Sequence, residues 1–214
     1  MPMRWLAFEH SPGAYRADFY LYGTASLALG AALLLGPWDL SLLGWAAAGV
    51  LGWTLLEYLL HRFVLHGLPP FKRWHAEHHR RPGALIAAPT LLTATIFTTV
   101  LLLPAVWLLG AWPAAALSFG LLNGYLAYGL THHAIHQPTV GKPVRFGRRW
   151  LHRRRLWHGL HHRRVPTTPG SPPASAMAGY YGVSSVFWDR VFGTARRPVA
   201  ATSAAYRSPP RSRR

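Results

Sequence analysis

The chain contains four long runs of apolar residues, which occur as two pairs. The first pair covers roughly residues 19–36 and 40–60, and the second pair covers roughly residues 85–109 and 114–131. Each run is about as long as a helix must be to cross ~30 Å of hydrocarbon. Because only a few residues separate the two runs of each pair, each pair is expected to form a helical hairpin. The pattern therefore predicts an all-α integral membrane protein with four transmembrane helices.

The chain is predicted to divide into three parts. We expect residues 1–18 to form an N-terminal lead-in, residues 19–194 to form one membrane domain, and residues 195–214 to form a disordered basic tail rich in Arg, Pro and Ser. Residues 165–175 are rich in Pro, Ser, Thr and Gly and are predicted to be a loop.

The charges are segregated along the chain. It has 23 Lys and Arg against 6 Asp and Glu, a formal net charge of +17, yet no Lys or Arg lies within residues 17–61 or 82–141. Since basic segments stay on the cytoplasmic side of a membrane, we expect a cytoplasmic helical cap on the plasma (inner) membrane, with both termini on that side. Anionic lipid headgroups are the expected counter-charge. No nucleic-acid partner is expected, because apolar runs flank the basic stretches.

Histidine is the candidate chemistry, because the chain has no cysteine and must bind any metal through nitrogen or oxygen. Ten of the 13 histidines form four clusters just past the cytoplasmic ends of the predicted hairpins. Neutral imidazole is a good ligand for iron and zinc, and ten imidazoles suit two ions with about five ligands each. His10 and His152 are expected to be solvated interfacial side chains, and His133 breaks the spacing of its neighbours. The candidate ligands are His61, His66, His75, His78, His79, His132, His136, His158, His161 and His162.

The spacing within three of the clusters follows helical geometry. Positions i, i+3 and i+4 share one face of an α-helix, so the triplets that begin at His75 and His158 are each expected to aim three imidazoles at one point. The cluster that begins at His132 has two histidines one turn apart. His61 and His66 are five residues apart, about 140° around a regular α-helix, and face one point only if the helix bends or breaks between them.

Carboxylates are scarce near these clusters, which excludes a di-metal site built mainly from Glu ligands. We expect Glu57 and Asp189 to lie just behind the metal ligands, with Glu57 accepting a hydrogen bond that orients an imidazole. Glu77 points off the face of its neighbouring histidines, and is expected to pair with Arg73 or Arg81.

At these residues the chain resembles the fatty acid hydroxylase superfamily, the integral-membrane group that contains sterol desaturases, carotenoid hydroxylases and fatty acid 2-hydroxylases. The motifs that carry the resemblance are His-x4-His at 61–66, His-x2-His-His at 75–79, His-x3-His at 132–136, His-x2-His-His at 158–162, and the flanking segments 57–63 and 182–194. The resemblance covers about residues 50–194. The His-x3-His motif and the Trp188-Asp189-Arg190 sequence look closer to the fatty acid 2-hydroxylases than to the carotenoid hydroxylases.

The resemblance implies an O₂-dependent di-iron monooxygenase that hydroxylates the acyl chain of a membrane lipid. It implies two iron ions bound by the ten histidines, although imidazole ligands also accept zinc during purification. Electrons are expected from a separate ferredoxin or cytochrome-b5-like protein. A sterol or carotenoid hydroxylase and a lipid desaturase of the same superfamily stay open as alternatives. A membrane metal-binding or transport protein is the alternative from a different class.

Residues 142–164 form a dense basic stretch. They contain nine basic residues and no acidic one, interleaved with Phe146, Trp150 and Trp157. A positive patch of this density speeds encounter with an acidic partner and weakens with salt. Docking of the electron donor and anchoring to anionic lipid are both open as its role.

Overall fold

The computed structural model describes residues 9–137, 147–163 and 179–195. Within these ranges the chain is helical, and its extended pairing is limited to an isolated bridge between Glu9 and Ile86. The all-α prediction is therefore confirmed for the described residues. The loop predicted at 165–175 lies outside them, as do the first eight residues and the predicted tail beyond residue 195. The elements are α1 (Pro12–Leu35), α2 (Ser41–Leu59), the π-helical turn π1 (Leu60–Leu65), α3 (Phe71–Arg80), α4 (Thr90–Ile96), π2 (Phe97–Leu102), α5 (Leu103–Leu109), α6 (Ala111–His136), α7 (Arg148–His161) and α8 (Phe187–Val191).

Three helical stretches are long and apolar enough to cross a membrane, namely Pro12–Leu35, Ser41–Leu65 and Thr90–Leu109. Large apolar side chains on their outer surfaces are exposed, as is expected where the surroundings are hydrocarbon. The fourth predicted span, residues 114–131, lies within α6, which is not among these three stretches. Helix α6 buries eight residues against the other helices. Several of these residues are small or polar, which lowers the mean hydropathy of the helix.

Two predicted boundaries differ from the structure. Helix α1 begins at Pro12, inside the predicted lead-in, because the Ser11 side chain caps its first turn. The third span begins at Thr90 rather than at residue 85. The preceding segment is not helical, and its Leu85 carbonyl oxygen accepts a hydrogen bond from the backbone N–H of His10 at 2.9 Å.

Helices α2 and α6 form the most extensive helix pair in the described chain. They approach so closely at Gly49 and Gly120 that a Cβ on Gly120 would overlap the Ala46 carbonyl and lie 2.9 Å from the Cα of Gly49. One turn further on, a Cβ on Gly124 would lie 2.5 Å from the Cβ of Trp53. Small residues four apart are the usual means by which membrane helices pack at short distance. This contact holds the ends of α2 and α6 together at the histidine clusters.

Candidate metal centre

The ten predicted ligand histidines lie at the ends of four elements, which the fold brings together. Turn π1 follows directly on α2, α3 packs against π1, and α7 packs against the C-terminal end of α6. The ligand atoms sort into two sets, and within each set they lie within 4.8 Å of one another. The first group contains His61, His66, His75, His79 and His161. The second group contains His78, His132, His136 and His158, and we include His162, whose Nε2 is 2.9 Å from that of His158.

The spacing predicts that each triplet aims its three imidazoles at one point, and the structure shows that this prediction is wrong. On α3, His75 and His79 join the first group, whereas His78 joins the second. On α7 the division is reversed, because His161 joins the first group while His158 and His162 join the second. On an α-helix, positions four apart differ by about 40° around the axis and positions three apart by about 60°. In each triplet the two histidines four apart share one group and the middle histidine joins the other, so each helix contributes to both groups.

The π-helical turn explains how His61 and His66 meet. In π1 the backbone N–H of His66 bonds to the carbonyl of His61 at 3.3 Å, an i to i+5 bond. A π-helical turn places residues five apart one above the other. The two imidazole rings therefore stack, with centroids 5.1 Å apart and planes 22° apart. The expected distortion of the helix is present, and it is a widened turn rather than a break.

The distances between ring nitrogens fit metal coordination. Two imidazole nitrogens about 2.1 Å from one ion and at right angles to each other lie about 3.0 Å apart. In the first group the Nε2 of His75 lies 3.0 Å from that of His61, 3.1 Å from that of His66 and 3.0 Å from that of His79. In the second group the corresponding distances are 3.2 Å for the His78–His132 pair and 2.8 Å for the His136–His158 pair.

Hydrogen bonding among the imidazoles alone does not account for this convergence. The Nδ1 of His61 lies 2.5 Å from the Tyr181 carbonyl oxygen, and the Nδ1 of His161 lies 2.9 Å from that of Gly179. A carbonyl oxygen is only an acceptor, so each Nδ1 carries the proton, and each Nε2 of a neutral ring presents a lone pair toward the group. One ring N–H cannot satisfy three neighbouring nitrogens, as the position of His75 would require, whereas a cation between the rings can, and the donor set therefore fits a metal ion.

Burial favours the neutral, ligand-competent form of these rings. Loss of solvation lowers the pKa of His66 to about 3 and that of His161 to about 4. It also lowers the pKa of His78 to about 3 and that of His79 to about 4, and the neighbouring imidazoles act in the same direction. A proton would compete with a metal for the same lone pair. At neutral pH these four rings are therefore unprotonated.

The carboxylates Glu57 and Asp189 lie one layer further from the ligands than predicted. Oxygens of Glu57 accept hydrogen bonds from the backbone N–H groups of Val183 and Ser184, at 2.5 and 2.8 Å, and from the Ser184 hydroxyl. The expectation that Glu57 accepts from an imidazole is therefore wrong. Backbone carbonyls take that role, because the closing loop (residues 179–186) passes between the carboxylates and the rings.

The remaining histidines and charged residues near the centre have other contacts. His10 Nε2 lies 3.1 Å from the Ala87 carbonyl oxygen, and His133 packs against Tyr15. Neither of them belongs to a histidine group, and His152 does not either. Arg81 donates to Glu77, which confirms one of the two partners expected for that carboxylate.

A cavity of about 190 Å³ opens onto both histidine groups. It lies between α1, α3, α6 and the segment before α4, and it reaches His75 of the first group and His78 and His132 of the second. Much of the rest of its wall is apolar or aromatic, including Phe19 and Trp74. An apolar cavity that ends at two histidine groups is suited to an aliphatic chain.

Asp18 is a polar residue of the cavity wall that is not among the predicted site residues. It lies within the first span, where one of its oxygens accepts a hydrogen bond from the Tyr125 hydroxyl. Its other oxygen, Oδ1, is buried and has no hydrogen-bond partner. The available signal was the position of a carboxylate inside an apolar run, since such residues are costly and usually functional.

Comparison with known proteins assigns the family. The model of the fatty acid hydroxylase family matches residues 46–194, which include all ten candidate ligands. A dihydroceramide fatty acyl 2-hydroxylase of Arabidopsis thaliana is 35% identical over 162 residues, which cover 69% of this chain and 59% of the relative. A ceramide very long chain fatty acid hydroxylase of Schizosaccharomyces pombe is 30% identical, over 68% of this chain and 40% of the relative. The chain thus spans about half the length of these curated relatives.

A solved structure agrees with the sequence relatives. Full-length scs7p, of which only the hydroxylase domain is visible, matches 87% of this chain and 68% of its own chain, with a TM-score of 0.60 and 26% sequence identity. The family match covers well over half of the chain and every histidine of the two groups. With its apolar helices, the chain is therefore an integral membrane protein that belongs to the fatty acid hydroxylase family.

Proposed function

We propose that this protein is an O₂-dependent di-iron monooxygenase that hydroxylates a fatty acyl chain of a membrane lipid, in the manner of the fatty acid 2-hydroxylases. The observation that carries the proposal is the pair of five-histidine groups at the end of an apolar cavity. The names of the relatives, which are acyl and ceramide hydroxylases, support a lipid substrate.

The ten histidines are proposed as the ligands of two ions, one ion in each group. When bound, the irons would supply the activation of O₂ that attack on an unactivated C–H bond requires. Overall, one oxygen atom enters the C–H bond and the other leaves as water, with two external electrons and two protons. The protein's own residues hold ten neutral imidazoles in place, keep water away from the acyl chain, and place that chain against His75, His78 and His132.

The cavity also suggests which part of the lipid is recognised. Its apolar wall, with residues such as Leu65 and Phe71, suits methylene groups. An acyl chain is therefore the favoured occupant of the cavity.

The proposal includes a membrane arrangement. Four spans, with α6 as the fourth, would place the histidine groups and the basic helix α7 on the cytoplasmic side of the inner membrane. Anionic headgroups and an acidic electron donor, either a ferredoxin or a cytochrome-b5-like protein, would meet that face. The exposed arginines Arg148, Arg149 and Arg153 support this part of the proposal.

Lipid mass spectrometry of an expression host, with and without the chain, tests the reaction. The expected product is an acyl chain heavier by one oxygen atom, and growth under ¹⁸O₂ should carry the label into the new hydroxyl. The control is the same chain with His78→Ala. A new double bond without oxygen incorporation would instead favour a lipid desaturase, and a hydroxylated sterol or carotenoid would favour a sterol or carotenoid hydroxylase.

A further inference from the structure

The closing loop is fixed from behind by two buried carboxylates. Asp189 is fully buried and accepts hydrogen bonds from the backbone N–H groups of Tyr181 and Gly182, both at 2.8 Å. Its Oδ1 also accepts from the Thr194 hydroxyl at 2.7 Å. Glu57, at the end of α2, accepts from the next two N–H groups along the loop, as described above. Four consecutive backbone N–H groups therefore end on two side chains.

The loop fixed in this way orients two rings of the first group. The carbonyl of Tyr181 accepts from His61, and the carbonyl of Gly179 accepts from His161. Tyr181 contributes to both sides of the loop, because its N–H bonds to Asp189 while its carbonyl holds a ligand. A shift of the loop would therefore move the acceptors that set the tautomer and the direction of both imidazoles.

The second group has no such support in the described part of the chain. The Nδ1 atoms of His78, His158 and His162 are all buried and have no hydrogen-bond partner. These rings are positioned only by their own helices, α3 and α7, and by packing against neighbouring imidazoles such as that of His136. The carboxylate-fixed loop thus supports one group and not the other.

We propose that Glu57 and Asp189 are positioning residues for the metal ion of the first group alone, and that the two ions are consequently held with different kinetic stability. The inference rests on the metal centre of the proposed function. The first ion should dissociate slowly because two of its ligands, His61 and His161, are fixed through the loop. The second should dissociate faster, since three of its rings are held by helix packing alone.

The test uses the full-length chain purified in lipid nanodiscs after iron-replete expression, and it measures metal per chain and the rate of metal loss to a chelator. Asp189→Asn is made in two backgrounds. One background lacks the second group through His132→Ala and His136→Ala, and the other lacks the first group through His66→Ala and His79→Ala. Each background is expected to retain one ion.

Asp189→Asn should accelerate metal loss about tenfold or more where only the first group remains, since changes behind a ligand commonly reduce metal affinity 10–100-fold. Where only the second group remains, the rate should stay within about twofold. In the unmodified chain, loss of two ions should be biphasic, and Asp189→Asn should remove the slow phase. Equal acceleration in both backgrounds, or acceleration in neither, would overturn the proposal.

A milder variant and a matched control guard against simple misfolding. Ser184→Ala removes the hydroxyl that bonds to Glu57 while it leaves the backbone bonds, and it should give a smaller acceleration in the same background only. Glu77→Gln, which changes a carboxylate that adjoins the ligands in sequence but pairs outward with Arg81, should alter neither rate. A chain that loads two ions but forms no hydroxylated lipid would refute the proposed function and leave this test decisive.

Discussion

The two histidine groups have the same donors but differ in what lies behind them. The first group is tied to backbone carbonyls of the closing loop, whereas buried Nδ1 atoms in the second group have no partner. The cavity meets two rings of the second group, His78 and His132, and one ring of the first, His75. Under the proposed function, the chain combines a rigid metal position with one that can adjust beside the substrate. Equal ligand chemistry does not imply equal preorganisation.

The largest expected effect is on single ligands, and it tests whether the two groups act together. His161→Ala in the first group and His78→Ala in the second should each reduce hydroxylated lipid to background, because the proposed reaction uses both ions. His10→Ala should leave most of the product, since that residue lies outside both groups. The measurement is lipid mass spectrometry at matched protein levels. Retained activity in either ligand variant would show that one group suffices.

The next effect concerns the contact that holds the groups at a fixed separation. Gly120→Leu should lower stability by about 1–3 kcal/mol or more, because its side chain would meet the backbone of α2 rather than a flexible side chain. Both metal ions should be lost more readily, since α2 continues into the first group and α6 ends in the second. Thermal unfolding in detergent checks this.

Gly44→Ala is the matched control for this glycine, because nothing lies within 4 Å of a Cβ at that position. It should be neutral or slightly stabilising, as alanine favours a helix over glycine. A chain with Gly120→Leu that unfolds at the same temperature as the control would contradict the assigned packing.

An intermediate effect is expected when the cavity is filled. Ala88→Trp places an indole at the cavity wall and should reduce turnover about tenfold or more, while both ions stay bound. Its comparison variant is Ala28→Trp, on the exposed surface of α1 and outside the cavity, which should keep normal turnover. Metal content and product are measured on the same preparations. If both variants behave alike, the acyl chain reaches the histidine groups by another route.

The smallest effect concerns the outer face of α7, the helix that supplies ligands to both groups. Reversing the charge of Arg148, Arg149 and Arg153 should slow turnover several-fold with a protein electron donor at low salt, and much less with a small chemical reductant. Arg154 is left unchanged, because it is buried over the ring of Trp157 rather than exposed. Turnover is measured as a function of salt concentration.

Charge reversal at Lys72 and Arg73, which are exposed on α3, controls for the change in net charge. An equal loss in both sets would indicate a general effect of surface charge. No loss in either set would leave anchoring to anionic lipid as the role of the α7 arginines.

Much of the convergence of the histidines could be predicted, because clustered imidazoles at helical spacing are hard to explain otherwise. Nine of the ten predicted ligands fall into the two sets of converging ligand atoms, and His162 adjoins one of them. Three of the four apolar runs also form helices long and apolar enough to cross a membrane. These features depend on local patterns, which the sequence displays directly.

Other features depend on contacts between distant segments and could not be predicted from local spacing. The division of each triplet between two groups follows from where α3 and α7 lie relative to each other. The hydrogen bonds of Asp189 depend on a loop that folds back over α2, and the burial of Arg154 depends on its packing against Trp157. A spacing rule describes one helix, whereas these facts concern several.

The π-helical turn has a consequence for how motifs of this kind are compared between proteins. A π-helical turn amounts to an α-helix with one residue inserted, so a chain that lost one residue between His61 and His66 could restore a regular helix and keep both rings on one side. The His-x4-His of π1 and the His-x3-His of α6 then each supply two neighbouring histidines to one group on two different backbones, with ring planes 22° apart in the first pair and 88° apart in the second. Alignments that fix the number of intervening residues would separate sequences that are equivalent in space. A chain with Val64 deleted should still present two imidazoles to the first group.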